Sequence, residues 1–147
     1  MRGTLVPVST MAAHGRLSAA DVAALVGVSG TTIGQWARRG YIDSSQRRRE
    51  PRVYAVEDVV EAAIVRTLLD RGLRRAEIRR AIARLREDGP PWPLSRMRLG
   101  TVDDSGRARL LVHADGGWQE LTARGWQRVV ALGEIDEVPL RLPATPG

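Results

Sequence analysis

Gly89-Pro90-Pro91-Trp92-Pro93 puts three prolines into four consecutive residues. No helix runs through such a stretch, because each proline lacks the amide proton that an interior turn donates and its ring collides with the turn before it. Ahead of it, apolar residues recur every three or four positions, the spacing of helices with one buried face. Beyond it they alternate with the two-residue period of strands. The predicted fold class is α+β, four helices followed by a small β-rich C-terminal module. The chain then divides into a flexible tail at 1–13, a helical domain at 14–88, a Pro-rich hinge at 89–95 and the β-rich module at 96–143.

A length of 147 residues suffices for one ordinary domain or two small ones, and 43% hydrophobic with 27% charged residues is the balance of a chain that buries a core. The absence of cysteine excludes disulfides, thiolate metal sites and thiol nucleophiles, and His14 and His113 alone are too few for a histidine-rich metal site. No cofactor or metal is expected. No stretch approaches the roughly 18 apolar residues of a membrane span, so a cytoplasmic, nucleoid-associated protein with no membrane partner is the expectation. All 23 basic residues are arginine. Residues 14–88 carry 15 of them against 10 carboxylates, whereas residues 89–147 carry 7 against 7. A basic module joined to a neutral one points to double-stranded DNA as the partner of the first.

Ser18 before Ala19-Ala20-Asp21 predicts a helix opening with a capping box, with Leu17 packing on Val22, and this helix runs to about Val26. Gly27-Val28-Ser29 breaks the chain. A second helix follows, burying Ile33, Trp36 and Ala37 and leaving Thr31, Thr32, Gln35, Arg38 and Arg39 toward solvent until Gly40 ends it. Two short helices around a Gly-containing turn, the second with a polar and basic outer face, make a helix-turn-helix pattern. Between the β-prone pairs Tyr41-Ile42 and Val53-Tyr54 lies an arginine-dense loop with Arg47, Arg48, Arg49 and Arg52. Their mutual repulsion calls for an anionic partner, and the loop reads as a wing laid along phosphates. A third helix spans about Val56–Arg71, and a fourth, Arg75–Glu87, turns Ile78, Ile82 and Leu85 inward and Arg79, Arg80, Arg84 and Arg86 outward.

In their order, Leu17-Ser18, Val28-Ser29, Thr32-Ile33, Trp36, Arg39-Gly40-Tyr41-Ile42, Arg52-Val53-Tyr54, Asp58-Val59 and Arg71-Gly72-Leu73 resemble the MerR-type winged helix-turn-helix over residues 16–87. The resemblance implies a bacterial, sequence-specific transcriptional regulator. Its recognition helix, with Thr31, Thr32, Gln35, Arg38 and Arg39, would enter the major groove, and its wing, with Arg47, Arg48, Arg49 and Arg52, would follow the backbone. Tyr54 would anchor the wing and touch phosphate. Gly34 and Gln35 stand where many relatives carry arginine, Ala55 stands where a capping Ser or Thr is usual, and the Pro-rich break replaces the long dimerising helix of classical members.

In the second half, strands are expected around Met97–Val102, Ala108–His113 and Trp118–Leu121, with turns at Asp103–Gly106 and Asp115–Gly117 and a last extended piece at Val138–Leu142. Trp92, Trp118 and Trp126 are expected as core filler in a chain without phenylalanine. A module of about 50 residues buries little surface alone. It is therefore expected to mediate assembly, as a homodimer or as cooperative neighbours on DNA, or to bind a protein partner. Residues 93–127 resemble the C-terminal parts of MerR-like antitoxins, which implies as one alternative an antitoxin that binds a toxin through residues 96–143 and represses its own operon. The other alternative is an excisionase-like factor that bends DNA. Asp103 and Asp104 are neighbours in a turn and diverge, His113 has no cysteine or second histidine beside it, and no glycine-rich phosphate loop follows a strand, so no enzyme activity is expected.

Overall fold

The computed structural model describes residues 17–42, 53–89, 91–129 and 134–139. The tail at 1–13, the loop that carries Arg47, Arg48, Arg49 and Arg52, and the C-terminal residues from 140 onward lie outside the described residues. Contacts divide the chain into two compact units, with the division inside the third helix, between Ala63 and Ile64.

The first unit is built on helix α1 (Ala19–Val26), helix α2 (Gly30–Arg38) and the first half of helix α3 (Val56–Asp70). The expected capping box closes α1: the Asp21 amide donates to Ser18 Oγ at 3.1 Å and the Ser18 amide donates to Asp21 Oδ2 at 2.9 Å. Gly27 ends the helix in the left-handed region, at φ 88°, where a side chain would be strained. Ser29 caps α2 by accepting from the Thr32 amide at 3.0 Å. At the start of α3, Ala55 has no capping side chain, but its amide donates to Asp58 Oδ2 at 2.8 Å, so half of a capping box survives. The core of the unit comprises Leu17, Val22, Val26, Ile33, Trp36, Tyr54 and Val59, all buried.

The second unit takes the other half of α3, helix α4 (Arg75–Asp88), a 3-10 turn at Leu94–Arg96 and five strands: β1 (Arg98–Asp104), β2 (Arg107–Ala114), β3 (Gly117–Thr122), β4 (Gly125–Arg128) and β5 (Asp136–Glu137). The strands form one antiparallel sheet in the order β4-β3-β2-β1-β5. Ser105-Gly106 and Asp115-Gly116 are two-residue turns with positive φ at every position, 55° and 81°, then 53° and 78°. That mirror-image turn matches the twist of a tight hairpin. Leu99 pairs with Val112 and Thr101 with Leu110, and Leu121 pairs with Trp126. On this side of the sheet lies α4, whose Glu77 accepts from Arg107 at 2.6 Å and whose Asp88 accepts from the Trp126 indole at 2.9 Å. Leu94 and Met97 are buried, so the Pro-rich segment expected as a hinge lies within this unit.

The other side of the sheet is more polar. Arg98 pairs with Glu137 and stacks 5.4 Å from the Trp118 ring, while Arg109 bridges Glu120 and Asp104. The three tryptophans expected in the core are only half-buried. Trp92 lies under the Arg86 guanidinium, Trp118 covers Gly100, and Trp126 ties β4 to α4. Core filling falls instead to Leu94, Leu99, Leu111, Ile78 and Ile82, and the tryptophans use their amphipathic edges at its rim.

Candidate nucleic-acid interface

Helix α2 is oriented by its apolar side. Ile33 and Trp36 are buried, and the amide of Tyr41 closes on the Trp36 carbonyl at 2.9 Å, pulling Tyr41 and Ile42 into the core. Positions 31, 35, 38 and 39 then fall on the outer side, since residues three and four apart share a helix face. Thr31, Arg38 and Arg39 are exposed and Gln35 is half-exposed. No acidic residue lies between Gly30 and Ile42. Gly34 sits on the same turn, and an added methyl there would meet only Arg38 Nη1, at 3.5 Å.

Thr32 is placed differently from its expected companions. Its amide and hydroxyl both engage Ser29, the hydroxyls lying 2.9 Å apart, so this side chain completes the cap of α2. Tyr54, expected to hold the wing and touch phosphate, is fully buried. Its backbone exchanges two hydrogen bonds with Leu17, at 2.8 and 2.9 Å, which fix the exit of the arginine-rich loop to the entrance of α1. Nothing in the spacing of the sequence announces this long-range bridge. The only signal is that Leu17 and Tyr54 are large apolar residues bordering polar segments. Arg47, Arg48, Arg49 and Arg52 lie outside the described residues.

Two capped helices joined across Gly27-Val28-Ser29, the second presenting an amide, two guanidinium groups and an exposed threonine, define a helix-turn-helix. This class of module places its second helix in the major groove of DNA. Residues 17–85 match the family model described as the MerR HTH family regulatory protein, and this stretch of the chain is a MerR-type helix-turn-helix domain, the DNA-binding element of transcriptional regulators. No curated protein matches the chain. No solved structure matches it either. Among the described residues no helix is long and apolar enough to cross a membrane.

Proposed function

We propose that the protein is a sequence-specific transcriptional regulator that reads bases with α2 and grips phosphates with the loop Arg47–Arg52. The observation that carries this reading is the outer face of α2, where Thr31, Gln35, Arg38 and Arg39 stand clear of the core with no carboxylate among them. Gln35 supplies the one amide on that face, a group that pairs with adenine through both its donor and its acceptor. Arg38 and Arg39, at the end of the helix, suit phosphate or guanine. Tyr54 contributes by anchoring the loop, the role its burial supports. The β-rich module at 96–143 holds two copies together, because a single helix-turn-helix covers too short a site for useful affinity.

The phosphate grip is tested by titrating DNA binding between about 50 and 200 mM salt for the wild type and for the double variant Arg48→Ala, Arg49→Ala. The variant is expected to bind specific and random DNA more weakly alike, with a salt slope reduced by about two contacts. An unchanged slope contradicts the assignment of the loop.

A further inference from the structure

The sheet of the second unit has two edges, β4 and β5, and they are finished differently. On β5 the Val138 amide donates to the Leu99 carbonyl at 2.9 Å, which fixes the phase of the ladder and turns the backbone of Glu137 outward. Its carbonyl is taken by Arg71 Nη2 at 3.0 Å, so this edge is closed. On β4 the Val129 amide donates to the Trp118 carbonyl at 2.9 Å, so Glu120 with Gln127 and Thr122 with Gly125 are the hydrogen-bonded pairs. The N–H and C=O groups of Trp126 and Arg128 therefore point away from β3, and they have no partner among the described residues. Two side chains keep this edge formed and open. The Trp126 indole, bonded to Asp88 at 2.9 Å, ties the strand to α4. Arg128, whose charge could guard the edge, is drawn back across the sheet: its Nη2 donates to the Asp115 carbonyl at 2.9 Å and lies so near Gly117 that a Cβ there would stand 2.7 Å from it. Gln127, between these two residues, is exposed and uncharged.

The geometry points to β4 as the strand by which two copies of this chain join, antiparallel and edge to edge, into one continuous sheet. This rests on the reading that the β-rich module holds two copies together, and it names the surface that does so. A two-fold axis through Gln127 sets Trp126 opposite Arg128 of the second copy, and Arg128 opposite Trp126 of the second copy. Each of these pairs exchanges main-chain hydrogen bonds between groups that otherwise have no partner. On the axis Gln127 faces itself across a pair without main-chain bonds, where side chains approach most closely. A residue in that place must suit its own copy. A carboxylate or guanidinium would meet its like, whereas a carboxamide offers a donor and an acceptor to an identical carboxamide. The same register keeps the two Arg128 side chains from standing opposite each other. No such match exists on β5, where Asp136 and Glu137 would bring carboxylates together.

The test uses the full chain without DNA and follows sedimentation equilibrium over a wide range of protein concentration. The wild type is expected to form dimers. Gln127→Glu and Gln127→Lys each place like charges on the axis and are expected to raise the dimer dissociation constant about tenfold or more. An equimolar mixture of the two variants is expected to associate at about wild-type strength, because the charges then oppose each other. Hydrogen exchange adds a readout that needs no substitution: the amides of Trp126 and Arg128 are expected to gain protection as protein concentration rises, whereas that of Gln127, already bonded to β3, is not. A dimer indifferent to both substitutions, one weakened by both without recovery in the mixture, or one whose Trp126 and Arg128 amides exchange as in the monomer overturns the edge assignment while the assembly reading stands. A chain that stays monomeric at every concentration overturns both.

Discussion

Gly34 is the one glycine in the interior of α2, and the described residues give its backbone no need of glycine: its φ lies outside the left-handed region and an added Cβ finds only the tip of Arg38, at 3.5 Å. Replacing it by alanine lowers the entropy of the unfolded chain without strain in the folded one. Gly34→Ala is expected to stabilise the protein by about 0.5–1 kcal/mol, read from urea unfolding, while leaving DNA affinity close to that of the wild type. A loss of stability would mean that this turn of α2 has no room for a methyl group. Gly100 is the opposite case. A Cβ there would lie 2.7 Å from Ile135 Cγ2 and 3.2 Å from two ring atoms of Trp118, so glycine is what allows Ile135 and the indole to come this close to β1. Gly100→Ala is expected to destabilise by about 1–3 kcal/mol in the same measurement. Unchanged stability would show that Trp118 can leave its place freely.

At the scale of elements, the ion pairs of the second unit make its stability depend on pH. Partial burial works to raise the pKa of Glu77, but hydrogen bonds from Arg107 and from the Arg74 amide outweigh it and hold the carboxyl below its ordinary value of 4.5. Asp88 is lowered by the Trp126 hydrogen bond, and Glu137 by the Arg98 hydrogen bond. Groups whose folded pKa is depressed stabilise the fold fully above their unfolded pKa and lose that contribution as pH falls through the folded value. The melting temperature is therefore expected to be level above about pH 5 and to fall steadily below pH 4. A rise on acidification would contradict these pairings. The helices were legible in the sequence because their information is local. Ser18 and Ser29 cap the first two, Gly27 and Gly40 stop them, and Ile78, Ile82 and Leu85 mark the buried face of α4. The hairpins Asp104–Arg107 and Ala114–Gly117 were legible for the same reason, though β1 extends through Asp104, one residue from Ser105-Gly106. Strand β4 was missed because Gly125-Trp126-Gln127-Arg128 has no alternation of apolar residues. Strand β5 was expected further along, at Val138–Leu142, whereas the paired residues are the polar Asp136 and Glu137. Their partners Gly100 and Thr101, and the Arg71 guanidinium that donates to both of their carbonyls, are far away in sequence. The outer face of α2 could be read from spacing alone, but the use of Thr32 as a capping partner depends on a hydroxyl rotamer that spacing does not contain.

For the whole molecule, charge and packing are partitioned differently. The excess of arginine ends with α4, at residue 88, whereas packing divides the chain at Ala63 and joins α4 to the neutral sheet. The match to the MerR HTH family model runs to residue 85 and so reaches across that division. The Pro-rich stretch breaks the helical run without marking a boundary between packed bodies, since the residues on both sides of it belong to the second unit. The central claim is that α2 reads base sequence through Gln35. The most direct measurement compares the wild type and Gln35→Ala over a randomised library of double-stranded DNA sites at fixed salt. The wild type is expected to select a defined site, and the variant to lose about 1–3 kcal/mol of discrimination at one base position while holding random DNA as tightly as before. Equal loss over every sequence, or a wild type that selects no site, would contradict the claim.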